Sequence, residues 1–407
     1  MQLARHHPSI FHAPEGRLQA RKEAGQVMSR NLLILGTRGI PASHGGFETF
    51  AEGFALDMVR RGWKVAVYCQ AKGEGEVAET EWNGVRLIHV PVNRGDALGT
   101  IQFDLRSVLH ACRQDGVVLT LGYNTALFSV LHRLARQVNV MNMDGIEWQR
   151  DKWSPLQRTW LFCNEWLGAR LASHLVADHP AIRDHLCRHT AASKITVIPY
   201  GTEVVTEAPE EHIRTLGLAP GEYALVIARP EPENSILEIV RSYASVAPSV
   251  PLVVLGHYSP AVRDYHREVL ACANEHVRFL GAIYDKAVVK SLRFHARVYI
   301  HGHKVGGTNP SLIEAMATGR PVIAHDNRFN RWVLGEGGMY FSDDDSLHGA
   351  LRQSLDQRIP ARQVQQIAER QRVTFSPSAV HDAYERLLLR YTGLASSKAV
   401  TTADASL

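Results

Sequence analysis

Short apolar segments rich in β-branched residues alternate with segments of helical periodicity along most of the chain. This alternation is typical of βαβ units, in which helices join parallel strands and cover the sheet that they form. One series of strands begins at Asn31–Leu35 (NLLIL), and a second begins at residues 223–228 (YALVIA). Because the two series show no evident sequence identity, the pattern predicts two doubly wound α/β domains and not a solenoid repeat.

The first series predicts strands at Asn31–Leu35 and at residues 63–68, 85–92, 116–121, 139–143, 174–177 and 194–199, and the second predicts strands at residues 223–228, 251–256, 277–280, 297–300 and 321–324. Among the intervening segments, residues 49–61 and 154–173 have helical periodicity, and a last helix is predicted over residues 378–391.

Pro199 and Gly201 mark the predicted boundary between the two domains. The carboxyl ends of the two parallel sheets should face a central cleft, where ligands of such folds bind. We predict a disordered N-terminal arm over residues 1–29, a first Rossmann-like domain over 30–198, a second over 199–374, a C-terminal helix over 375–393 that returns to the first domain, and a disordered tail over 394–407.

The composition excludes several classes of protein. With 407 residues, 45% of them hydrophobic and 21% charged, the chain has the size and balance of a two-domain globular protein. A net charge of +4 is too small for a nucleic-acid binder. No apolar run reaches the ~20 residues that cross a bilayer, and we expect no signal peptide. Five scattered cysteines without a C-x-x-C pair favour reduced thiols in the cytoplasm and disfavour a zinc site.

The segment over residues 301–324 carries the strongest chemical signal. A predicted strand ends here in a glycine-rich loop, and a helix begins after Asn309, a favourable N-cap that Pro310 follows. Exposed N–H groups between Gly307 and Ser311, together with the helix dipole, form an anion site that a diphosphate can approach closely.

Two charged side chains extend this site. Lys304 adds a positive charge in the loop, and Glu314 lies one turn into the helix, where a carboxylate can accept hydrogen bonds from a ribose-type hydroxyl. The alternative interpretation is an ordinary glycine-rich β–α turn with a glutamate at the surface.

The string SLIEAMATGRPVIA, which includes Glu314, resembles the nucleotide-binding helix of the retaining glycosyltransferases of family four, which have the GT-B fold. The longer string HGHKVGGTNPSLIEAMATGRPVIAHDN resembles one branch of that family, the bacterial rhamnosyltransferases of surface polysaccharide assembly. ILGTRGIPASHGGFETFAEGFA and MDGIEWQRDKW resemble the same branch and occur in the expected order. The resemblance implies two Rossmann-like domains that face a central cleft.

On the donor side, the resemblance implies that Arg229 contacts the phosphates, since a guanidinium can give phosphate two parallel hydrogen bonds. It implies roles in catalysis for Asp144, Arg229 and Glu314. The implied nucleotide-sugar-binding residues are Arg229, His303, Lys304, Gly306, Gly307, Thr308, Asn309 and Glu314. The chain departs from the wider family at Gly306, where an acid is usual, and at Asn234, where a phosphate-binding lysine is usual.

On the acceptor side, the resemblance implies that Gly45 and Gly46 let a loop approach the donor diphosphate and the acceptor, with Glu48 at the start of the next helix. Asp144 and Glu147 follow a predicted strand and therefore lie at the rim of a sheet. Asp144 is either a residue of the catalytic cleft or a plain turn aspartate. The glycine pair is either part of the site or a flexible connection.

The resemblance further implies retention of anomeric configuration, dTDP-rhamnose as donor, a polyprenyl-diphosphate-linked saccharide as acceptor, and no cofactor. We expect no metal, because Asp343, Asp344 and Asp345 precede a helix and are interpreted as capping residues. The alternatives are a transferase of another nucleotide sugar, a nucleotide-sugar epimerase, and a non-catalytic GT-B protein that binds a glycan or a nucleotide.

Aromatic residues alternate with Arg and Lys over residues 148–166 (WQRDKWSPLQRTWLFCNEW). This composition is typical of a peripheral contact with a membrane, here the inner face of the cytoplasmic membrane. It is equally typical of a core helix with one basic edge. Both interpretations can hold at different residues of the segment.

Overall fold

In the computed structural model, the described residues are 30–42, 45–149, 153–246, 250–356 and 359–392. They form two α/β domains, each built on a mainly parallel sheet with helices on both faces. The predicted α/β fold class of two doubly wound domains is therefore confirmed. The arm predicted over residues 1–29 and the tail predicted over 394–407 lie outside the described residues.

The first domain contains an eight-stranded sheet with the order β3-β4-β2-β1-β5-β6-β7-β8. All neighbouring strands are parallel except β3 and β4. The strands are β1 (Asn31–Leu35), β2 (Lys64–Lys72), β3 (Ala78–Trp82), β4 (Val85–Val92), β5 (Val117–Leu121), β6 (Asn139–Asn142), β7 (His174–Ala177) and β8 (Ile195–Val197).

The second domain contains a six-stranded parallel sheet with the order β11-β10-β9-β12-β13-β14. Its strands are β9 (Ala224–Ile227), β10 (Leu252–Leu255), β11 (Val277–Gly281), β12 (Val298–His301), β13 (Val322–His325) and β14 (Met339–Phe341).

Fourteen α-helices connect and cover these strands within the described residues. They are α1 (Gly46–Arg60), α2 (Ala97–Ala111), α3 (Ser129–Leu134), α4 (Pro155–Leu171), α5 (Pro180–Leu186), α6 (Glu211–Arg214), α7 (Ile236–Val246), α8 (Asp264–Ala271), α9 (Lys286–His295), α10 (Pro310–Met316), α11 (Arg328–Leu334), α12 (Asp344–Asp356), α13 (Ala361–Thr374) and α14 (Pro377–Tyr391). None of the helices in these ranges is long and apolar enough to cross a bilayer.

Each sheet has one switch point, where the strand order reverses. In the first domain it lies between β1 and β5, and in the second it lies between β9 and β12. The connections on either side of a switch point run to opposite faces of the sheet, which leaves a crevice at the carboxyl ends of the two strands. Both crevices are therefore the places where the fold favours a ligand.

Two strands were not predicted from the sequence. Strand β3 is polar (AETEW) and lies at the sheet edge, so apolar periodicity does not reveal it. The turn between β3 and β4 is Asn83-Gly84, with φ of 50° and 80°, and such an Asn-Gly pair is a strong hairpin signal. Strand β14 has only three residues (MYF), too few for a period of two to be seen.

The last helix, α14, packs on the first domain. Val380, Tyr384 and Leu387 belong to the same buried cluster as α1 and strands β1 and β2. At the rim of this contact, Arg61 lies 2.6 Å from Asp382 and 2.8 Å from Glu385. The chain thus crosses from the first domain to the second and back again.

The two crossings lie side by side. The N–H of Thr202 donates a 2.8 Å hydrogen bond to the carbonyl of Phe375, and Nε2 of Gln371 donates to the carbonyl of Thr202 at 2.7 Å. Phe375 is fully buried, and Gln371 is nearly so. These bonds join the outgoing and returning segments directly.

We predict that Tyr384→Phe destabilises the protein by about 1–3 kcal/mol, because a buried donor then loses its acceptor. Nδ2 of Asn142 donates a 2.7 Å hydrogen bond to the Tyr384 hydroxyl, and both side chains are buried. Urea denaturation measures the change in unfolding free energy. The matched control is Tyr284→Phe, since Tyr284 is 87% exposed, and this change should shift stability by less than about 0.5 kcal/mol. Equal effects at both positions contradict the prediction.

Candidate functional site

The functional loops predicted in the second domain lie at its switch point. Arg229 follows β9, and the glycine-rich loop follows the neighbouring strand β12. The Arg229 side chain is exposed and makes no ion pair within the described ranges. Its carbonyl accepts a 2.8 Å hydrogen bond from the buried Nδ2 of Asn234. Asn234 stands where the resembled family usually has a lysine. Its hydrogen bond stabilises the turn on which Arg229 lies.

The glycine-rich loop packs tightly on this turn. A Cβ at Gly302 would collide with the carbonyl of Asn234, so the close approach requires glycine. Gly306 has a φ of 132°, which again favours glycine. Nζ of Lys304 lies 2.9 Å from Oε1 of Glu238, so its charge is already paired. Arg229 is consequently the more available cation for an anion bound at these loops.

A carboxylate of the first domain occupies part of the predicted anion site. The N–H of Thr308 donates a 3.1 Å hydrogen bond to Oδ2 of Asp178, and the Thr308 hydroxyl donates to the Asp178 carbonyl. A Cβ at Gly307 would lie 2.5 Å from both carboxylate oxygens of Asp178. The Asp178 side chain, at the end of β7, thus already occupies an N–H group of the predicted anion site.

The helix after this loop begins as its sequence indicates. Oδ1 of Asn309 accepts a 3.0 Å hydrogen bond from the N–H of Ser311, and Pro310 is the first helical residue of α10. The Glu314 carboxylate faces α9, where Oε2 lies 2.7 Å from a guanidinium nitrogen of Arg293. Arg293 is nearly buried, so it holds Glu314 in one orientation and was not anticipated from the sequence.

His303 lies at the start of the same loop. Its ring stacks on His301, with centroids 4.3 Å apart and planes 6° from parallel. Its carbonyl accepts hydrogen bonds from Asn327 at 3.0 Å and Asn330 at 2.9 Å. Burial holds the pKa of His301 well below its usual range, so that ring is neutral. His303 therefore ties the loop to α11 through its backbone.

In the first domain, the glycine pair lies at the start of α1. Gly45 has a φ of 78°, and a Cβ there would collide with the Glu48 carboxylate. Oε1 of Glu48 accepts a 3.3 Å hydrogen bond from the N–H of Arg38, in the loop after β1. Gly46 is exposed, and a Cβ added to it would meet no atom within 4 Å, so its surroundings leave room for a ligand.

Asp144 has an unusual backbone conformation. Its φ is 49°, in the left-handed region that residues with a Cβ rarely adopt and that occurs at functional sites. Oδ1 of Asn142 accepts a 2.8 Å hydrogen bond from the N–H of Asp144. The same Asn142 donates to Tyr384 of α14. The C-terminal helix therefore helps to hold the backbone of Asp144 in place.

Glu147 is held near Asp144 by a short 3-10 turn. Its N–H donates a 2.9 Å hydrogen bond to the Tyr123 hydroxyl, and Oε2 lies 3.4 Å from Nε1 of Trp153. The next residue, Trp148, donates a 3.0 Å hydrogen bond to the buried carboxylate of Glu165. These bonds anchor the segment that follows β6 to α4.

Glu165, His185 and His189 form the one cluster within the described ranges whose ligand atoms have metal-like spacing, all within 4.8 Å. Oε1 of Glu165 accepts a 2.7 Å hydrogen bond from Nε2 of His185, and Oε2 is taken by Trp148. These hydrogen bonds indicate that Glu165 and His185 stabilise the packing of the first domain.

In the second domain, the side chain of Asp343 caps a helix. It accepts a 2.9 Å hydrogen bond from the N–H of Ser346.

A cavity of about 800 Å³ opens at the switch point of the first domain. Gly45, Gly46, Glu48 and Asp144 lie on its wall, as do residues of the loops after β1 and β5. Its wall is otherwise mostly apolar and includes Tyr123, Trp153, Leu156 and Trp160. All of its lining residues belong to the first domain. We refer to it as the first-domain cavity.

Asp104 of α2 also lines this cavity and was not singled out from the sequence. The hydroxyl of Thr125 donates a 2.8 Å hydrogen bond to its Oδ2. Burial raises the pKa of Asp104 to about 6, because the cavity wall shields the carboxylate from bulk solvent. No sequence motif surrounds Asp104, so only the tertiary structure shows that it faces the same space as Asp144.

Helix α4 has both a buried and an exposed face. Leu161, Glu165 and Ala169 are buried in the domain. Leu156 is 81% exposed and Trp160 is 40% exposed, while Leu134 on the neighbouring α3 is 75% exposed. The segment thus has a core face, as one interpretation predicted, and an exposed face that carries apolar side chains.

The comparisons with known proteins agree with this architecture. Residues 29–203 match a family described as a domain of unknown function (DUF1972), and residues 210–371 match the family Glycosyl transferases group 1. No curated protein matches the chain in sequence.

Solved structures match nearly the whole chain. A sucrose-phosphate synthase from Thermosynechococcus elongatus is 18% identical, with a TM-score of 0.66, and the match covers 89% of this chain and 98% of that one. HepE from Anabaena in complex with UDP and glucose is 17% identical, with a TM-score of 0.67, covering 88% and 99%. An α,α-trehalose-phosphate synthase (UDP-forming) from Burkholderia vietnamiensis is 12% identical, with a TM-score of 0.65, covering 89% and 100%.

At these identities the likeness establishes the fold, which is GT-B. The match over residues 210–371 adds the activity class, because it makes the second domain a glycosyl transferases group 1 domain. The chain is therefore a glycosyltransferase with the GT-B fold.

We predict that Asp178→Asn raises the affinity for pyrophosphate by about three- to tenfold, because an anion no longer has to displace a negative charge from the loop. Isothermal titration calorimetry with pyrophosphate measures the change. Asp184→Asn is the matched control, because Asp184 is an exposed aspartate on α5 and its replacement removes the same charge. An unchanged or lower affinity of Asp178→Asn contradicts the prediction.

Proposed function

We propose that this glycosyltransferase moves a sugar from a nucleotide diphosphate sugar to a lipid-linked saccharide in surface polysaccharide synthesis, with retention of configuration. The proposed donor is dTDP-rhamnose. The observation that carries the proposal is that the glycine-rich loop at the second-domain switch point contacts Asp178 of the first domain. Asp178 follows β7, the strand next to β6, and Asp144 follows β6. The donor loops and the acceptor loops thus flank a single cleft.

On the donor side, the proposal assigns the diphosphate to Arg229 and to the loop from Gly306 to Asn309, with His303 and Lys304 beside it. The exposed guanidinium of Arg229 supports this, since it can give phosphate a bidentate contact. Glu314 is proposed to accept hydrogen bonds from the ribose, with Arg293 fixing its orientation. HepE, which has the same fold, was solved with UDP and glucose, and this supports a nucleotide sugar as donor.

On the acceptor side, the proposal assigns Asp144 to the reacting hydroxyl and Gly45, Gly46, Glu48 and Glu147 to the surrounding loop. Asp144 supports this by its position on the wall of the first-domain cavity and by its φ of 49°. Residues held in this conformation occur at functional sites as well as in turns, so the backbone of Asp144 is compatible with the proposed role.

The transfer is proposed to proceed without a protein nucleophile. The bond from the anomeric carbon to the phosphate oxygen breaks, and the acceptor oxygen attacks the same face of the sugar. The leaving phosphate oxygen takes the proton of the acceptor hydroxyl. Arg229 and the N–H groups of the loop stabilise the charge that develops on the phosphate, each by on the order of 3 kcal/mol.

The lipid-linked acceptor implies a peripheral contact with the inner face of the cytoplasmic membrane. The exposed apolar side chains of Leu134, Leu156 and Trp160 support this contact. The guanidinium of Arg170 lies 3.7 Å from the ring centroid of Trp166, so a basic group accompanies the apolar face. Such a face is typical of proteins that bind at the surface of anionic membranes.

We expect transfer from dTDP-rhamnose when the acceptor is presented in phosphatidylglycerol vesicles. The test incubates the protein with dTDP-, UDP- and GDP-sugars, follows release of nucleoside diphosphate, and determines the anomeric configuration of the product by NMR. Inverted product contradicts retention, and preference for another donor favours the transferase of another sugar. A sugar isomerised without acceptor indicates an epimerase. Binding without turnover favours a non-catalytic protein, an alternative prompted by Gly306.

We predict that Arg229→Ala lowers kcat by about 10²–10³-fold, because a donor to the leaving phosphate is lost. Arg229→Lys should recover only part of the rate, since an ammonium cannot make a bidentate contact. Steady-state kinetics with the best donor of the panel measure both effects. Arg214→Ala is the control, because Arg214 is exposed on α6 and its ion pair among the described residues is with Glu210 on the same turn. Undiminished activity of Arg229→Ala contradicts the phosphate assignment.

A further inference from the structure

The first-domain cavity contains a polar group that the proposed reaction does not use. Asp104 lines its wall, on α2, away from the glycine loop and the strand that carries Asp144. Thr125 gives its carboxylate one hydrogen bond, and Asp104 has no ion pair within the described parts of the chain. An ionised carboxylate can accept about four hydrogen bonds. Asp104 is therefore an acceptor with unused capacity inside an otherwise apolar space.

His132 is a second acceptor on the same wall. Its Nδ1 lies 2.9 Å from Oε1 of Gln137, whose Nε2 donates to the carbonyls of Ala111 and Gln114. The Gln137 amide is thereby oriented with its oxygen toward the imidazole, so Nδ1 carries the proton. Burial lowers the pKa of His132, which keeps the ring neutral. Nε2 is consequently an acceptor without a hydrogen-bond partner among the residues that the structure describes, and it has almost no exposed surface. Asp104 is therefore the acceptor that a ligand in the cavity can reach.

The unused acceptor capacity of Asp104 decides between the ligands that an apolar cavity of this size could hold. A lipid chain against Asp104 would return no hydrogen bond to the carboxylate, at a cost of about 1–3 kcal/mol. A sugar ring brings a hydroxyl donor to Asp104, and its C–H groups can pack against the apolar wall. Ligand pockets of roughly 300–1,000 Å³ commonly combine apolar walls with a few such polar contacts.

We propose that the first-domain cavity binds a hydroxylated ring of the acceptor, and that Asp104 accepts a hydrogen bond from one of its hydroxyl groups. The inference rests on the proposed function, since it names the part of the acceptor that enters the protein. Asp144 lies on the wall of the same cavity and so faces the same ring. Leu156 and Trp160 line the cavity and are also exposed to solvent. The apolar part of the acceptor therefore extends out of the cavity along α4.

The test measures binding of octyl β-D-glucoside, octyl α-L-rhamnoside and octyl N-acetyl-β-D-glucosaminide by ligand-observed NMR at millimolar concentration, with 1-decanol and farnesyl phosphate as ring-free probes. The variants are Asp104→Leu, Asp104→Asn and Thr125→Val. We expect Asp104→Leu to lose at least about tenfold in affinity for the best glycoside and Asp104→Asn to lose less, because an amide oxygen still accepts. Asp115→Leu is the matched control on an exposed aspartate of the same domain.

Two further measurements separate a binding role from a structural one. Because the pKa of Asp104 is raised to about 6, glycoside affinity should rise between about pH 5 and pH 7 in the natural protein and stay flat in Asp104→Asn. The other titratable or charged groups on the cavity wall are Arg38, Glu48, Tyr123, His132 and Asp144, which all remain in that variant.

The stability of the fold should change with pH in the direction opposite to that of glycoside affinity. A carboxyl whose pKa is higher in the folded protein than in the unfolded chain, about 3.9, destabilises the fold as pH rises from about 4 to about 6. The melting temperature of Asp104→Asn, relative to that of the natural protein, should therefore rise over this range. A carboxylate whose pKa is lower in the folded protein than in the unfolded chain would show the reverse.

Glycoside affinity that is insensitive to residue 104 overturns the proposal, as does binding of the ring-free probes with no glycoside binding. Nucleotide-dependent donor turnover, assayed in parallel, reports on the proposed function separately. Loss of glycoside binding in Asp104→Leu, with reduced acceptor-dependent transfer and unchanged affinity for dTDP, supports the inference. A natural protein that binds glycosides through Asp104 but never turns over a donor contradicts the proposed function and leaves the binding site supported.

Discussion

The reversal of strand order in each parallel sheet is the constraint on which the rest of this structure depends. Connections that leave on opposite faces open a crevice beside β1 and β5 in one domain and beside β9 and β12 in the other. The carboxyl ends of these strands carry Gly36 to Arg38, Tyr123, Arg229 and the glycine-rich loop. The second crevice contacts the first domain through Asp178, at the end of β7, whose carboxylate accepts a hydrogen bond from the loop after β12.

Around these crevices, the chain uses buried polar contacts to fix loops that carry no regular structure. Asn234 holds the turn of Arg229, Arg293 holds Glu314, and Asn142 holds the backbone of Asp144. In each case a nearly buried side chain determines the position of a more exposed group. Asn234 and Asn142 act within their own loops, and Arg293 acts from α9 on α10. Such supporting contacts restrict the geometry of a site before a ligand arrives.

Apolar periodicity was sufficient to predict most of the strands. The buried strands include β4, β7 and the first strand of each series, and the apolar pattern that reveals each of them lies within its own residues. The helix start at Asn309 and Pro310 was equally local, since capping depends on adjacent residues. The partners of the charged residues were not predictable in this way. Lys304 pairs with Glu238, 66 residues away, and Thr308 pairs with Asp178, 130 residues away. Asp104 stands in no motif, and only packing reveals that it faces the first-domain cavity.

The side-by-side crossings between the domains also limit how the cleft can open. Thr202 and Phe375 are joined by a backbone hydrogen bond, so the outgoing and returning segments act as one pivot and not as two independent tethers. A pivot of this kind permits rotation about an axis through that point while resisting sliding of one domain past the other. Displacement then grows with distance from the axis. Residues near Tyr200 stay in register during such a rotation, whereas loops far from the pivot separate most.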